Sequence, residues 1–357
     1  MELKAFQQHL TRWYETHQRA LPWRKSRDPY HIWISEVLLQ QTQVATVVGY
    51  YRRFFRAFPN VQAPAGADHQ DILKLWEGLG YYSRARHLHA AANQINNAPE
   101  KLIPADPEAF RRLPGVGNYI NAAVQSIAFG HPLAVVDGNV KRVLARLFMM
   151  DEPVNLSKSH KVFAAKAETL LDHTDPGTFN QAMMEMGALI CKPGKPLCDE
   201  CPVAPFCLAL RKQKTHAFPK RVAARKTPHH HLTVGIIQKN GTLLIVKRPE
   251  PGLLGGLWEF PGGRLKEQEN PETGCQRTIQ ESVGLTITVG ERLTRVKHAY
   301  THFKITMDVY FCDYIAGRVR RNGPAGHQWI RPSAITTFPF HKAVHKSLPA
   351  LYEFLQK

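Results

Sequence analysis

Along the first 210 residues apolar side chains recur at spacings of three and four, with proline or glycine punctuating the segments between them. That is the pattern of amphipathic helices packed on one another. Asp28-Pro29 marks one helix start, an N-cap followed by proline at the first helical position, and predicts a helix over Tyr30 to Gly49. Its run Ile32-Trp33-Ile34-Ser35-Glu36-Val37-Leu38-Leu39 is apolar nearly all round, so the helix is expected to be buried and to carry Glu36 inside with it. Two further helices, Asp106 to Arg112 and Asn118 to Phe129, are joined by Leu113-Pro114-Gly115-Val116-Gly117. Beyond residue 229 the period changes to two. His231 to Gln238 and Thr242 to Lys247 read as strands joined by the hairpin turn Asn240-Gly241. More strands are expected at Leu285 to Val289 and Phe303 to Tyr310, and helices near Pro271 to Val283 and Ala343 to Gln356.

The chain thus divides into an all-α part, residues 1–210, and a mixed α/β part, residues 229–357, with a linker at 211–228. From Leu208 to His231 there is no acidic residue, while Arg211, Lys212, Lys214, Lys220, Arg221, Arg225 and Lys226 supply seven positive charges. The linker is either a strip that lies along phosphates or a solvated hinge. Over the whole chain 47 Lys and Arg stand against 29 Asp and Glu, a formal charge of +18 that favours a polyanionic partner, nucleic acid first of all. No stretch approaches the roughly 20 consecutive apolar residues of a membrane span. The first ten residues also lack the charged-then-apolar pattern of a signal peptide. These features predict a cytoplasmic, nucleoid-associated protein with no membrane partner.

Four of the six cysteines crowd into one loop as Cys191, Cys198, Cys201 and Cys207, spaced Cys-x6-Cys-x2-Cys-x5-Cys. A secreted disulfide framework would scatter them, so a metal site in a reducing compartment is expected. Four thiolates suit either a 4Fe-4S cluster or a structural zinc. The spacing resembles that of the endonuclease III superfamily of DNA glycosylases, and that resemblance implies the 4Fe-4S cluster, placed to position a loop on DNA. The same resemblance extends to Leu113 to Gly117, a hairpin whose Gly115, Val116 and Gly117 would approach the DNA backbone while the following helix offers its first N–H groups to a phosphate. It extends also to Val135-Val136-Asp137-Gly138-Asn139-Val140, some twenty residues on.

Cleaving the glycosidic bond of a purine passes through an oxocarbenium-like sugar, which calls for an acid on the departing base and a carboxylate beside the cation. Glu36 and Asp137 supply that pair. Burial should keep Glu36 protonated at neutral pH, and backbone donors at a helix start should keep Asp137 ionised, where it would also serve as an N-cap. Bifunctional relatives carry a Schiff-base lysine two residues after the second hairpin glycine; here that residue is Tyr119, and a phenol is no substitute for an amine nucleophile. Glycosylase activity with little lyase activity follows.

Ser35-Glu36-Val37-Leu38-Leu39-Gln40-Gln41-Thr42-Gln43-Val44 is similar, almost residue for residue, to the signature of the MutY family of adenine glycosylases, and Leu79-Gly80-Tyr81-Tyr82-Ser83-Arg84 matches as well. The resemblance implies that Gln41 wedges into the stack where adenine leaves and that Thr42 touches the opposite 8-oxoguanine. Leu79 and Tyr81 would fill the gap beside that base. Leu21-Pro22-Trp23-Arg24 and Phe179-Asn180-Gln181-Ala182 also agree, so Arg24 and Gln181 would line the adenine pocket. Asn139 and Tyr119 would support Asp137. In the second half, Gly263-x5-Glu269-x7-Arg277-Thr278-Ile279-Gln280-Glu281-Ser282-Val283-Gly284-Leu285 resembles a Nudix box in which Thr278 and Ser282 replace metal-binding glutamates. A MutT-like scaffold whose hydrolysis is lost could inspect 8-oxoguanine instead, and Tyr300-Thr301-His302 stands where the family carries a Phe-Ser-His loop for that base.

The expected fold is therefore a helix-hairpin-helix glycosylase domain with its cluster loop at 191–207, followed by a Nudix-like α/β domain. The expected partner is duplex DNA bearing adenine opposite 8-oxoguanine or guanine. The chain is expected to be monomeric, and a sliding clamp or other repair protein is a candidate further partner. An endonuclease III-like enzyme on oxidised pyrimidines, a non-catalytic redox sensor on DNA and a Nudix hydrolase are the rival readings. Tyr119, the Gln41-Thr42 pair and the lost glutamates weigh against the first and the last.

Overall fold

The structure, a computed structural model, describes residues 2–223, 227–320 and 322–356, so two of the linker cations, Arg225 and Lys226, lie outside the described residues. Its helical half runs through α1 (Leu3–His17), α2 (Pro29–Leu39), α3 (Val44–Ala57), α4 (His69–Leu75), α5 (Ser83–Asn97), α6 (Pro107–Arg111), α7 (Asn118–Phe129), α8 (Gly138–Phe148), α9 (His160–Glu168) and α10 (Pro176–Leu189). Asp28 caps α2 by accepting from the Tyr30 amide at 2.7 Å, and Ile32 through Leu38 are all buried. The single helix expected over Tyr30 to Gly49 is in fact two. Gln41 takes a left-handed backbone (φ 58°) and the Thr42 amide bonds to the Leu39 carbonyl at 3.2 Å, which ends the α ladder. The polar run Gln40 to Gln43 has no apolar stripe to bury, and α3 starts afresh with a different one, Val47, Tyr51 and Phe54.

By packing, the chain forms two compact units: residues 1–65 with 90–224, and residues 66–89 with 225–357. In the first, Phe6, Leu10 and Trp13 of α1 meet Val140, Val143, Leu144 and Leu147 of α8, Phe163 of α9 and Phe179, Met183 and Met186 of α10. The cysteine loop leans on this core through Leu197 and Phe206.

The second unit is built on strands β1 (His229–Lys239), β2 (Thr242–Lys247), β3 (Trp258–Glu259), β4 (Gly262–Arg264), β5 (Thr286–Ala299), β6 (Lys304–Ala316) and β7 (Gly326–Ile330) in one sheet. The order is β3-β2-β1-β6-β5, with β4 also on β1 and β7 on β2. Among these strands the β1–β6 pairing is parallel and the other pairings are antiparallel. Asn240 and Gly241 both adopt positive φ (48° and 74°), the paired left-handed turn that their sequence signals. Helix α11 (Pro271–Val283) buries Cys275, Ile279 and Val283 against one face of the sheet, while Phe340, Val344 and Leu351 pack on the other.

Three features of this unit depart from the sequence pattern. Strands β5 and β6 run several residues past their predicted ends. β3, β4 and β7 were hidden by their shortness, by Gly262-Gly263 or by the polar pair His327-Gln328. The helix expected over Ala343 to Gln356 splits into Lys342–His345 and α12 (Leu348–Leu355), because Pro349 has no N–H to continue a helix and fits only the first turn of a new one. A further difference concerns α4, which a boundary at residue 210 assigns to the helical domain. It packs instead with the α/β unit, where the Trp258 indole donates to Gln70 Oε1 (2.9 Å) and Lys74 donates to the Phe338 carbonyl (3.0 Å).

Candidate active site

A pocket of about 200 Å³ opens in the first unit where α2, α7, the start of α8 and α10 converge. Glu36 projects into it from α2, only 5% exposed. Tyr119, in the first turn of α7, donates its hydroxyl to Glu36 Oε2. Burial lifts the Glu36 carboxyl to about 7, opposed by the Tyr119 hydrogen bond and reinforced by the charge of Asp137, which lines the same pocket. Asp137 caps α8: Oδ1 accepts from the Val140 amide at 2.7 Å and Oδ2 from the Asn139 side chain at 2.8 Å. Burial raises the Asp137 carboxyl as well, and its several donors offset only part of that rise. Its pKa therefore lies above the ordinary value. Glu36 has one hydrogen-bond donor and the Arg24 charge to favour its ionised form, where Asp137 has a backbone cap, an amide and the Arg142 charge.

Arg24 and Gln181 both line this pocket. The residue that holds Arg24 was not foreseen. Glu185, 1% exposed on α10, accepts from Arg24 Nη1 and Nη2 (2.9 and 2.8 Å) and from Arg19 Nε and Nη2 (2.9 and 2.6 Å). Burial alone would raise its pKa, but the two guanidinium groups bring it down to about 2. Arg24 is thereby held flat against a carboxylate with its fork largely used. Gln181, one turn before Glu185, keeps its Oε1 on the Tyr14 hydroxyl at 3.2 Å. A glutamate in the apolar run of α10, four residues after Gln181, is the same signal that singled out Glu36, and it marks Glu185 equally well.

Behind Asp137 the support continues. Asn139 Oδ1 accepts from Arg142 Nη2 (2.9 Å), and Arg142 Nε donates to the Cys191 carbonyl (2.7 Å). Arg146, one turn further along α8, donates to Cys191 Sγ at 3.2 Å, and Cys207 Sγ reaches the Arg146 carbonyl at 3.6 Å. The four cysteines lie within electrostatic reach of one another, and burial pushes the Cys201 thiol up to about 12. Cys198, Cys201 and Cys207, all made reluctant to ionise by burial, share one short loop with Cys191 beside the Arg142 and Arg146 guanidinium groups, a donor set that a cationic centre would complete. Among the described residues no three His, Cys, Asp or Glu side chains close on a single-ion geometry.

Of the residues expected on DNA, Gln41 is exposed with its strained backbone at φ 58°, and Thr42 lies on the wall of the Glu36 pocket. In the hairpin, Gly115 needs its glycine (φ 77°). Gly117 caps α7 in ordinary extended backbone (φ −88°), and a side chain there would meet nothing within 4 Å. The Val116 side chain is buried and its amide donates to the Leu113 carbonyl at 3.1 Å. Leu79, Tyr81, Tyr300, Thr301 and His302 meet in the second unit around a cleft of about 510 Å³. There the Tyr81 and Thr301 hydroxyls are hydrogen-bonded at 2.6 Å. Thr42 is not part of that group. In the Nudix-like box the remaining Glu269 and Glu281 both pair with Arg277 (2.6 and 2.8 Å), while Thr278 is buried against the Cys275 carbonyl.

Residues 34–171 match the family model described as HhH-GPD superfamily base excision DNA repair protein, and residues 233–350 match that of the NUDIX domain. Fold and pocket together thus define a base-excision DNA repair protein of the helix-hairpin-helix type with an appended Nudix domain. The chain is 35% identical over 364 residues to an adenine DNA glycosylase of Rattus norvegicus, a match that covers 87% of this chain and 70% of that one. It is 33% identical over 403 residues to that of Homo sapiens, covering 97% and 73%. Among solved structures, a thermostable thymine-DNA glycosylase is 34% identical and superposes with a TM-score of 0.54, covering 59% of this chain and 97% of that one. The chain belongs to the adenine DNA glycosylase family.

Proposed function

We propose that the protein excises adenine from duplex DNA where it stands opposite 8-oxoguanine, and also opposite guanine, by hydrolysing the glycosidic bond without cutting the backbone. The observation that carries this reading is the pair of carboxyls in one pocket, Glu36 holding a proton up to about pH 7 and Asp137 held by backbone and amide donors. Extrusion costs a few kcal/mol of stacking, and the exposed Gln41 is the side chain to take the vacated place. In the pocket Glu36 delivers its proton to a ring nitrogen of adenine as the base departs. Asp137 then stabilises the sugar cation, and Asn139 keeps its carboxylate aimed. Water captures the cation, gives its spare proton to the Glu36 carboxylate left ionised by the first step, and leaves an abasic site. Tyr119 ties down the acid and has no amine, so no Schiff base forms.

Cys191, Cys198, Cys201 and Cys207 would hold a 4Fe-4S cluster, whose charge keeps the four sulfurs ionised and the loop fixed. The base opposite adenine is read by Leu79, Tyr81 and the Tyr300-Thr301-His302 turn, whose cleft has room and hydroxyls for it. The formal charge of +18 suits a monomer that works along DNA in the nucleoid.

Single-turnover assays on duplexes with adenine opposite 8-oxoguanine, guanine or thymine test this. Cleavage should be fastest on the first and negligible on the last, and Glu36→Gln or Asp137→Asn should slow it by about a hundredfold or more. Borohydride should trap little protein on DNA. Efficient trapping, or an undiminished Glu36→Gln enzyme, would refute the proposal.

A further inference from the structure

The turn Gly78-Leu79-Gly80-Tyr81 between α4 and α5 is wound tightly, with Gly78, Gly80 and Tyr81 all at positive φ (91°, 73° and 51°). A tyrosine stays in the left-handed region only where its surroundings hold it there. Part of the hold is local: the Trp76 indole and Arg84 Nη2 both donate to the Gly80 carbonyl (3.3 and 3.1 Å). The Arg84 guanidinium also lies over the Tyr81 and Trp76 rings. These bonds fix the shape of the turn, but nothing in them fixes its place relative to Thr301.

Bonds between Gln70 and Trp258, Lys74 and Phe338, and Arg86 and Gly255 contribute to that placement, and the contribution nearest to the turn is that of Glu77, the residue just before it. Its Oε1 accepts from the Phe340 amide (2.8 Å) and from His345 Nε2 (2.7 Å). Its Oε2 accepts from Lys74 (2.6 Å), whose ammonium also reaches the Phe338 carbonyl. Phe340 is only 1% exposed, so the amide that Glu77 holds belongs to the core of the α/β unit. One carboxylate therefore clasps α4 to the strap 338–345, more than 260 residues away in sequence. The Tyr81 to Thr301 hydroxyl bond sits a few residues beyond that clasp.

We propose that Glu77 is a positioning residue for base discrimination: it sets Leu79 and Tyr81 against the Tyr300-Thr301-His302 turn, and so determines the preference for 8-oxoguanine without touching DNA or the reacting atoms. The inference rests on the reading above that this cleft receives the base opposite adenine. Hydrogen bonds to a charged group are strong enough that losing them should change a preference about tenfold.

The test uses the full-length protein and saturating single-turnover rates, which do not depend on the fraction of active enzyme. Glu77→Ala should lower the ratio of the rates on adenine opposite 8-oxoguanine and opposite guanine about tenfold, with the guanine rate changed less than about twofold. Glu77→Gln, whose amide oxygen can still accept from the Phe340 amide, should recover part of the ratio, and it decides the matter should the alanine variant not fold. An unchanged ratio in Glu77→Gln and Glu77→Ala, or both rates falling together, would overturn the proposal. Tyr81→Ala is the reference. If Tyr81→Ala lowers the ratio and the Glu77 variants do not, only the role of Glu77 fails. If Tyr81→Ala leaves the ratio intact, the assignment of the cleft fails and this inference with it.

Discussion

Tyr119 and Glu36 show how a single hydrogen bond can tune a buried acid. Burial raises the Glu36 carboxyl and the phenol pulls it back. Removing the hydroxyl should therefore raise the pKa further, keep the acid protonated to higher pH and shift the alkaline fall of the excision rate upward. Tyr119→Phe should show this displacement in a pH–rate profile while its acid limb, set by Asp137, stays in place; an unmoved or lowered alkaline limb would contradict the assignment. Glu36 was legible in sequence because it interrupts an apolar run. Glu185 interrupts another, yet its importance depends on Arg19 and Arg24, more than 160 residues earlier, converging on one carboxylate, and no local pattern encodes that meeting.

At the scale of elements, α8 and α10 approach so closely that glycine is required. A side chain at Gly187 would place its Cβ 2.7 Å from the Asn139 Cβ and 3.2 Å from its backbone. Gly187→Ala should therefore push Asn139 off Asp137 and slow adenine excision about tenfold, with DNA affinity within about twofold of the native protein. Wild-type excision by this variant would show that Asn139 does not position the aspartate. Asp137 itself has two duties, since it caps α8 while facing the pocket, and asparagine satisfies the first without the second. Several helix starts could be read from sequence because Asp28, Asp106, Asp137 and Asn270 announce them chemically. The break at Gln40 to Gln43 was harder: polar residues inside an amphipathic pattern look alike whether a helix continues past them or turns.

For the whole molecule, the change of period near residue 229 was enough to separate a helical half from an α/β half. It could not show that residues 66–89 pack with the latter, because only long-range bonds such as Gln70 to Trp258 and Glu77 to His345 decide it. Glu36 and Asp137 line a pocket of the first unit, and Leu79, Tyr81 and Thr301 a cleft of the second. On the proposed function, protonation of the acid should be blind to which base stands opposite adenine. The most direct measurement is the single-turnover excision rate between about pH 5 and 9 on adenine opposite 8-oxoguanine and opposite guanine, for the native protein and Glu36→Gln. Both native profiles should fall as pH rises through about 7, where Glu36 loses its proton, with rates differing between duplexes but the same alkaline limb; Glu36→Gln should be slow throughout and lack that limb. A native rate that stays flat through pH 7, or a glutamine variant that keeps the limb, would contradict Glu36 as the acid.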